Sequence, residues 1–415
     1  MPSTPRRTVA PESREFLVMV ALSMAMAAVS IDLLLPAFPQ MREAFGLARG
    51  STEVARVVTA FFFGLAVGQL FYGPLSDRFG RRPLLYVGLV VFAVGAVGSA
   101  VAGSLGTMIV WRFVWGLGAA APRSLAIAIV RDSYAGDRMV RTMSMIMTIF
   151  IVVPIVAPSI GQVLVDNVAW RAVLWAPLGV GAVLALWMLR MPETLPPERR
   201  RGLAPRDLRD AAMTVVSTRE TIGYGLASTC LFGMMAGFVG NAEALIDQVF
   251  GQADRFALIF GFVAASLALG SMLSARLVVR LGSARLMRFL TVYLVVVAVA
   301  HALLVVATGG RPPLWAWLVA LTFLMPALTA LLPNANTAAM APLGRVAGMG
   351  AAILGAVSTA GGALLGAIVD STFDGTARPF ALLLLAYACV AATLVTVVAR
   401  PPRTTEIPVV VVAEV

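Results

Sequence analysis

The chain contains no lysine, a single histidine and two cysteines, and each shortage removes a class of activity. A phosphate-binding loop of the Gly-x-x-x-x-Gly-Lys-Ser/Thr kind needs its lysine, so a nucleotide-driven pump built on such a loop is excluded. A metal centre needs several convergent ligands, and His301 stands alone in an apolar segment. Cys230 and Cys389 lie in apolar segments at distant points of the chain, which predicts two buried thiols rather than a disulfide or metal site. Charge is scarce too, at 13% of residues against about 25% in an average soluble domain. The sequence is instead 60% apolar, with a mean hydropathy of +0.89. These values describe an integral membrane protein, not a soluble enzyme.

A hydrocarbon core about 30 Å thick, crossed at about 1.5 Å per residue, requires roughly 20 mostly apolar residues per helix. Twelve segments meet that requirement: 16–38, 54–76, 83–104, 106–130, 139–165, 171–190, 221–245, 255–280, 285–308, 313–340, 346–371 and 378–400. The short alternating segments of a membrane β-barrel are lacking. The first segment is too long for a cleaved signal peptide and carries Asp32 and Pro36 in place of a small-residue cleavage site. The expected fold is therefore all-α, with twelve spanning helices.

The formal charge of +11 would point to nucleic acid in a soluble protein, but its distribution follows the membrane. Arginine carries all the basic charge and gathers in alternate loops, as at Arg78, Arg81 and Arg82, or Arg276, Arg280 and Arg285. The positive-inside rule puts these loops, and both termini, in the cytoplasm. The longest polar interruption, 191–220, mixes prolines with charges and divides the chain. The expected units are a six-helix bundle over 1–190, a linker over 191–220, a second six-helix bundle over 221–400 and a tail over 401–415. A degenerate internal echo fits two related halves: the stretch from Leu273 to Arg285 occupies the place in the second half that Gly73 to Arg82 takes in the first.

That first stretch, Gly73-Pro-Leu-Ser-Asp-Arg-Phe-Gly-Arg-Arg82, resembles the cytoplasmic loop motif of the major facilitator superfamily. The defining positions are Gly73, Leu75, Asp77, Arg78, Gly80, Arg81 and Arg82. The resemblance implies two six-helix bundles that work by alternating access. With Arg131 and Asp132 at the same surface, the motif charges are candidates for an inner-gate latch, since a few kcal/mol biases a two-state equilibrium. Fixing topology is the simpler role for the same arginines, and both can hold together.

Charges inside the hydrocarbon cost about 2.5–3.5 kcal/mol each on insertion scales, so the few present are the strongest functional candidates. Asp32 in the first segment and Arg112 in the fourth reach similar depth. A carboxyl buried near a guanidinium holds or loses its proton according to their separation, which makes this pair the candidate proton-coupling site; the alternatives are a helix-end carboxyl satisfied by water for Asp32 and a packing or lipid-headgroup contact for Arg112. Arg123 lies eleven residues after Arg112, close to three whole turns, and shares its face nearer the cytoplasmic end. It is either a cavity residue or an interfacial anchor. Pro154, Pro158 and Gly161 predict a bend in the fifth segment. In the second half Asn241, Glu243, Asn334 and Asn336 are candidates for the substrate cavity. For Glu243 recognition of a cation, a second proton site and an exposed outer carboxylate all stand, and for Asn334 and Asn336 so does a role satisfying the backbone freed by Pro333.

Beyond the superfamily, the chain is similar to the Bcr/CflA branch of drug/proton antiporters. The matching stretches are Ser30-Ile-Asp32-Leu-Leu-Leu-Pro36, Arg112 with Gly116-Leu-Gly118, Ile129-Val-Arg131-Asp132, Ala157-Pro158-Ser-Ile-Gly161, Trp170-Arg171, Glu193-Thr-Leu195 and Pro333-Asn-Ala-Asn336. This resemblance implies export of apolar or amphipathic compounds against inward proton flow, with Asp32 and Arg112 central to coupling. The expected partners are a small-molecule substrate, protons and the bilayer, with the proton gradient in place of any cofactor. The expected setting is the bacterial cytoplasmic membrane and the expected working unit a monomer. A carrier of one specific metabolite and a non-transporting membrane sensor are the alternative readings.

Overall fold

Inside hydrocarbon a backbone amide has no water to bond, so each apolar segment must close its hydrogen bonds within itself. The computed structural model describes residues 9–10, 13–200 and 205–398, and among these every regular element is helical. The first half holds α1 (Arg14–Asp32), α2 (Phe38–Ala44), α3 (Arg56–Phe79), α4 (Arg81–Val101), α5 (Leu105–Ser133), α6 (Gly136–Asn167) and α7 (Ala172–Met188). A helix α8 (Pro205–Ser217) precedes α9 (Arg219–Ala244), α10 (Phe256–Leu281), α11 (Ser283–Ala307), α12 (Leu314–Met340), α13 (Ala347–Ser371) and α14 (Arg378–Thr393). Among the described residues, eleven helical stretches are long and apolar enough to cross a bilayer, and α7 is a shorter apolar helix between them.

Local chemistry sets the boundaries. The Ser13 hydroxyl accepts the amide of Phe16 at the start of α1, and Ser104 and Thr107 cap α5 reciprocally. Gly80 (φ 101°) alone separates α3 from α4, and Gly282 (φ 75°) alone separates α10 from α11. These left-handed single-residue turns stand at equivalent places in the two halves, where a side chain would be strained. They give the sequence echo a structural counterpart.

Three features depart from the sequence reading. The first span breaks after Asp32 into a 3-10 turn over Leu35–Ala37 and then α2, because Pro36 lacks an amide proton and restricts its predecessor. Within the expected linker, α8 forms a helix with Val215 buried and Met213 and Val216 exposed. Cys230 is buried as expected, but Cys389 is exposed on α14. An outward face in a membrane protein is apolar because its solvent is lipid, so apolar neighbours in sequence do not establish burial. Leu258, Val279 and Trp315, each more than two-thirds exposed, belong to the same outward surface. His301 is buried with its ring edge toward Phe380, consistent with a packing role.

Packing in the first half centres on α5, which lies against α3, α4 and α1. At Gly64 a Cβ would overlap the carbonyl of Phe113, and at Gly116 one would overlap the carbonyl of Phe61. The two backbones therefore touch through reciprocal glycines, the close approach that holds helices together where lipid supplies no hydrophobic drive. Trp115 fills the space beside this contact, edge-on to Phe61 and Phe92. In the second half α9 packs on α13, α12 and α14. The halves meet through α3 on α13 and α6 on α10.

Gly116→Leu is expected to destabilise the protein by at least about 1–3 kcal/mol, the cost of overpacking where backbone cannot yield. Thermal unfolding in detergent, followed by size-exclusion chromatography, should show a lower midpoint than Gly179→Leu, a site with open space around it.

Candidate functional site

Polar side chains cluster at three levels along the helices: the arginine-rich end, the α1–α5 contact, and the far end.

At the arginine-rich end Arg81 is nearly buried. Its Nε donates to Asp132 (2.8 Å), and its Nη1 donates to Ser76 Oγ (2.6 Å) and Asp77 (2.5 Å). The backbone amides of Arg81 and Arg82 donate to the two carboxylate oxygens of Glu193, at 2.9 and 3.1 Å. Glu193 thus sits as an anion on the N-terminus of α4. A Cβ at Gly80 would stand 2.6 Å from that carboxylate, so Gly80 is required both for its φ and for Glu193. Arg82 Nη2 donates to the Leu189 carbonyl, Arg78 lies exposed over the Phe79 ring, and Arg131 is exposed. Gly73 has open space where a side chain would go. The described contacts of the motif therefore tie α3, α4 and α5 to the segment after α7, within the first half.

Between the two ends, Arg112 is fully buried on the second turn of α5. Its Nε donates to the Val57 carbonyl (3.3 Å) and its Nη1 to the Ser30 carbonyl (3.0 Å), while the guanidinium lies 4.7 and 4.9 Å from the rings of Phe61 and Trp115. Its Nη2 has no hydrogen-bond partner among the described residues. Asp32, two residues beyond Ser30 and 6% exposed, makes no hydrogen bond or ion pair among the described residues. The two charges thus share the α1–α5 contact without being joined. Gly161 presses α6 onto the Leu33 carbonyl, just where α1 unwinds. The α6 helix itself runs unbroken through Pro154 and Pro158. Arg123, half-buried on the Arg112 face of α5, makes no hydrogen bond or ion pair among the described residues.

At the far end Arg42 on α2 forms a bidentate ion pair with Glu243 on α9, and both are buried. Arg42 Nε also donates to the Ser51 carbonyl (2.7 Å), and Gln248 donates to the Gly50 carbonyl (3.1 Å). The Arg42–Glu243 pair and the Gln248–Gly50 bond join the two halves. Glu243 is therefore neither an exposed carboxylate nor an open cation site, because a guanidinium 201 positions away in sequence covers it. Asn241 is 1% exposed and donates to Asp370 on α13 (2.6 Å). Asn334 donates to Ser274 Oγ and the Ala330 carbonyl, pairing α12 with α10. Asn336 is half-buried and makes no hydrogen bond among the described residues.

Sequence reasoning did not single out Arg42 or Asp370, and gave Glu193 no role. Arg42 looked like one of the sparse arginines of the outer loops. Asp370 stands one residue from the end of an apolar run, where a carboxylate ordinarily reaches water.

Removing one partner of a buried ion pair costs about 3–5 kcal/mol. Because this pair spans the two halves, Glu243→Gln is expected to take that cost from the closed far end and shift the equilibrium by about two orders of magnitude or more toward opening. Labelling of Ile31→Cys by an impermeant maleimide should accelerate in Glu243→Gln. The exchanged pair Arg42→Glu with Glu243→Arg should restore slow labelling.

Comparison with known proteins agrees with this architecture. The family model described as Major Facilitator Superfamily matches residues 20–367. A bicyclomycin resistance protein homolog from Haemophilus influenzae is 29% identical over 275 residues, 66% of this chain and 69% of the relative. A multidrug resistance protein, MdtL, from Escherichia fergusonii is 25% identical over 56% of this chain and 59% of its own length. The crystal structure of a D-xylose-proton symporter superposes with a TM-score of 0.73 at 14% identity, covering 94% of this chain and 99% of that one. The chain belongs to the Major Facilitator Superfamily, as a multi-pass membrane transporter and not an enzyme.

Proposed function

We propose that the protein is a proton-coupled exporter of small amphipathic compounds, with Asp32 carrying the coupling proton and Arg112 responding to its charge. The observation that carries this reading is the pair of unmet groups at the α1–α5 contact: a buried Asp32 carboxyl and a buried Arg112 Nη2, neither with a hydrogen-bond partner among the described residues. A protonated Asp32 is neutral and tolerates its apolar site, whereas an ionised Asp32 requires the guanidinium or water. Proton loss therefore favours movement of α1 relative to α5, and Gly161 on the Leu33 carbonyl passes that movement to α6. The names of the relatives, bicyclomycin and multidrug resistance, support drug-like cargo. The arginine-rich end faces the cytoplasm in this reading, in a bacterial cytoplasmic membrane, and a monomer suffices.

The test uses acidified inside-out vesicles and a panel of lipophilic cations and neutral antibiotics. Addition of a substrate is expected to release protons from wild-type vesicles. Asp32→Asn should insert normally and release none, and retained release in that variant would remove Asp32 from the mechanism. Arg112→Lys should impair coupling as well, since an ammonium cannot span the Val57 and Ser30 carbonyls while stacking on Phe61 and Trp115.

A further inference from the structure

The far end contains two buried carboxyl groups and one guanidinium. Glu243 takes both Nη atoms of Arg42, and the Ser51 carbonyl takes its Nε. The cation is fully committed and leaves nothing for Asp370. Asp370 is 8% exposed, and its one described partner is the neutral amide of Asn241. A Cβ at Gly240 would stand 2.5 Å from both of its oxygens, so the carboxyl lies flat on α9 one turn before Glu243.

The remaining charges around it do not supply a counterion. On α13 there is no other charged residue. From α9 and the turn that follows it come Glu243 and Asp247, which are themselves acidic. From α14 come Arg378, exposed at its first residue, and Tyr387, whose hydroxyl donates to the Leu365 carbonyl. From the first half come Glu53 and Arg56, exposed and paired with each other. Packed α12 carries no charge. None of these forms a described ion pair or hydrogen bond with Asp370.

A second observation specifies what is missing. Asn241 Oδ1 is buried and has no donor among the described residues, although its own amide nitrogen already bonds Asp370. An ionised carboxylate can only accept, so it cannot serve that oxygen, while a carboxylic acid has one O–H to give. One proton on Asp370 lets acid and amide satisfy each other in a two-bond ring, and it makes the cluster of Arg42, Glu243 and Asp370 neutral. We propose that Asp370 and Asn241 form a proton-binding site in the second half, whose occupancy holds the far end closed. Loss of the proton leaves a buried charge with one neutral hydrogen bond, which only hydration through opening relieves. The site is distinct from Asp32 and acts whether or not Asp32 carries the transported proton.

The test needs no substrate. Spin labels at Ala48→Cys and Ala253→Cys, in full-length protein with Cys230→Ala and Cys389→Ala, report the distance across the far end. In the Asp370 form that distance is expected to lengthen as pH rises. In Asp370→Asn, where two amides make the same ring without a proton, it should stay short throughout. The same lengthening in Asp370→Asn would overturn the proposal. Asn241→Asp supplies an independent check, because two facing carboxyls retain a shared proton to higher pH. Its opening should move to higher pH than in the parent, and a move to lower pH would equally overturn the proposal. Asp32→Asn should leave the pH response in place, which separates this site from the coupling reading.

Discussion

The seating of α5 against α3 is the contact from which the first half takes its form. Reciprocal glycines, Gly64 and Gly116, bring the two backbones together, and in lipid that closeness supplies the attraction that a hydrophobic core supplies in water. Two buried arginines of this half are placed by α5. Arg112 reaches the Val57 and Ser30 carbonyls because α3 and α1 lie within side-chain reach, and Asp132 meets Arg81 because α4 is drawn to the same helix. A loosened α5 would separate all of these groups at once.

Polar chemistry is distributed by depth with different degrees of satisfaction. The arginine-rich end is densely bonded, with Arg81 held by three side chains and Glu193 bonded to three backbone amides, those of Arg81, Arg82 and Leu195. The α1–α5 contact holds a guanidinium and a carboxyl with polar atoms unmet among the described residues. The far end has one complete ion pair and one incomplete acid–amide pair. Rigid surroundings with unmet groups inside them are what a two-state machine requires, since a fully satisfied interior has one preferred arrangement.

Helices were largely legible in the sequence, because segment length and apolarity are constraints of the bilayer itself. The expected 106–130 corresponds to Leu105–Ser133 and the expected 346–371 to Ala347–Ser371. The pairing of side chains was not legible. Arg42 and Glu243 lie far apart in sequence, in segments whose periodicity says nothing about which surfaces meet across the halves. The depth argument for Asp32 and Arg112 rested on helical rise alone, so it gave similar levels but not the unjoined geometry. Asp370 was hidden by its position at the end of an apolar run, where nothing in the sequence reveals that α9 covers it.

The Glu193 carboxylate on the first turn of α4 changes the mechanics of the connection between the halves. The chain that leaves α7 is not loose from Met188 onward: the Met191 side chain is buried, and Glu193 fastens the segment to the head of a different helix. The segment stays against the first half beyond that point, through a 3-10 turn over Pro197–Arg199 to Arg200, whose guanidinium lies beside Gly80. A shorter tether has a higher effective concentration of its two ends and a narrower set of separations it permits. One carboxylate thus keeps the start of the connection on the first half.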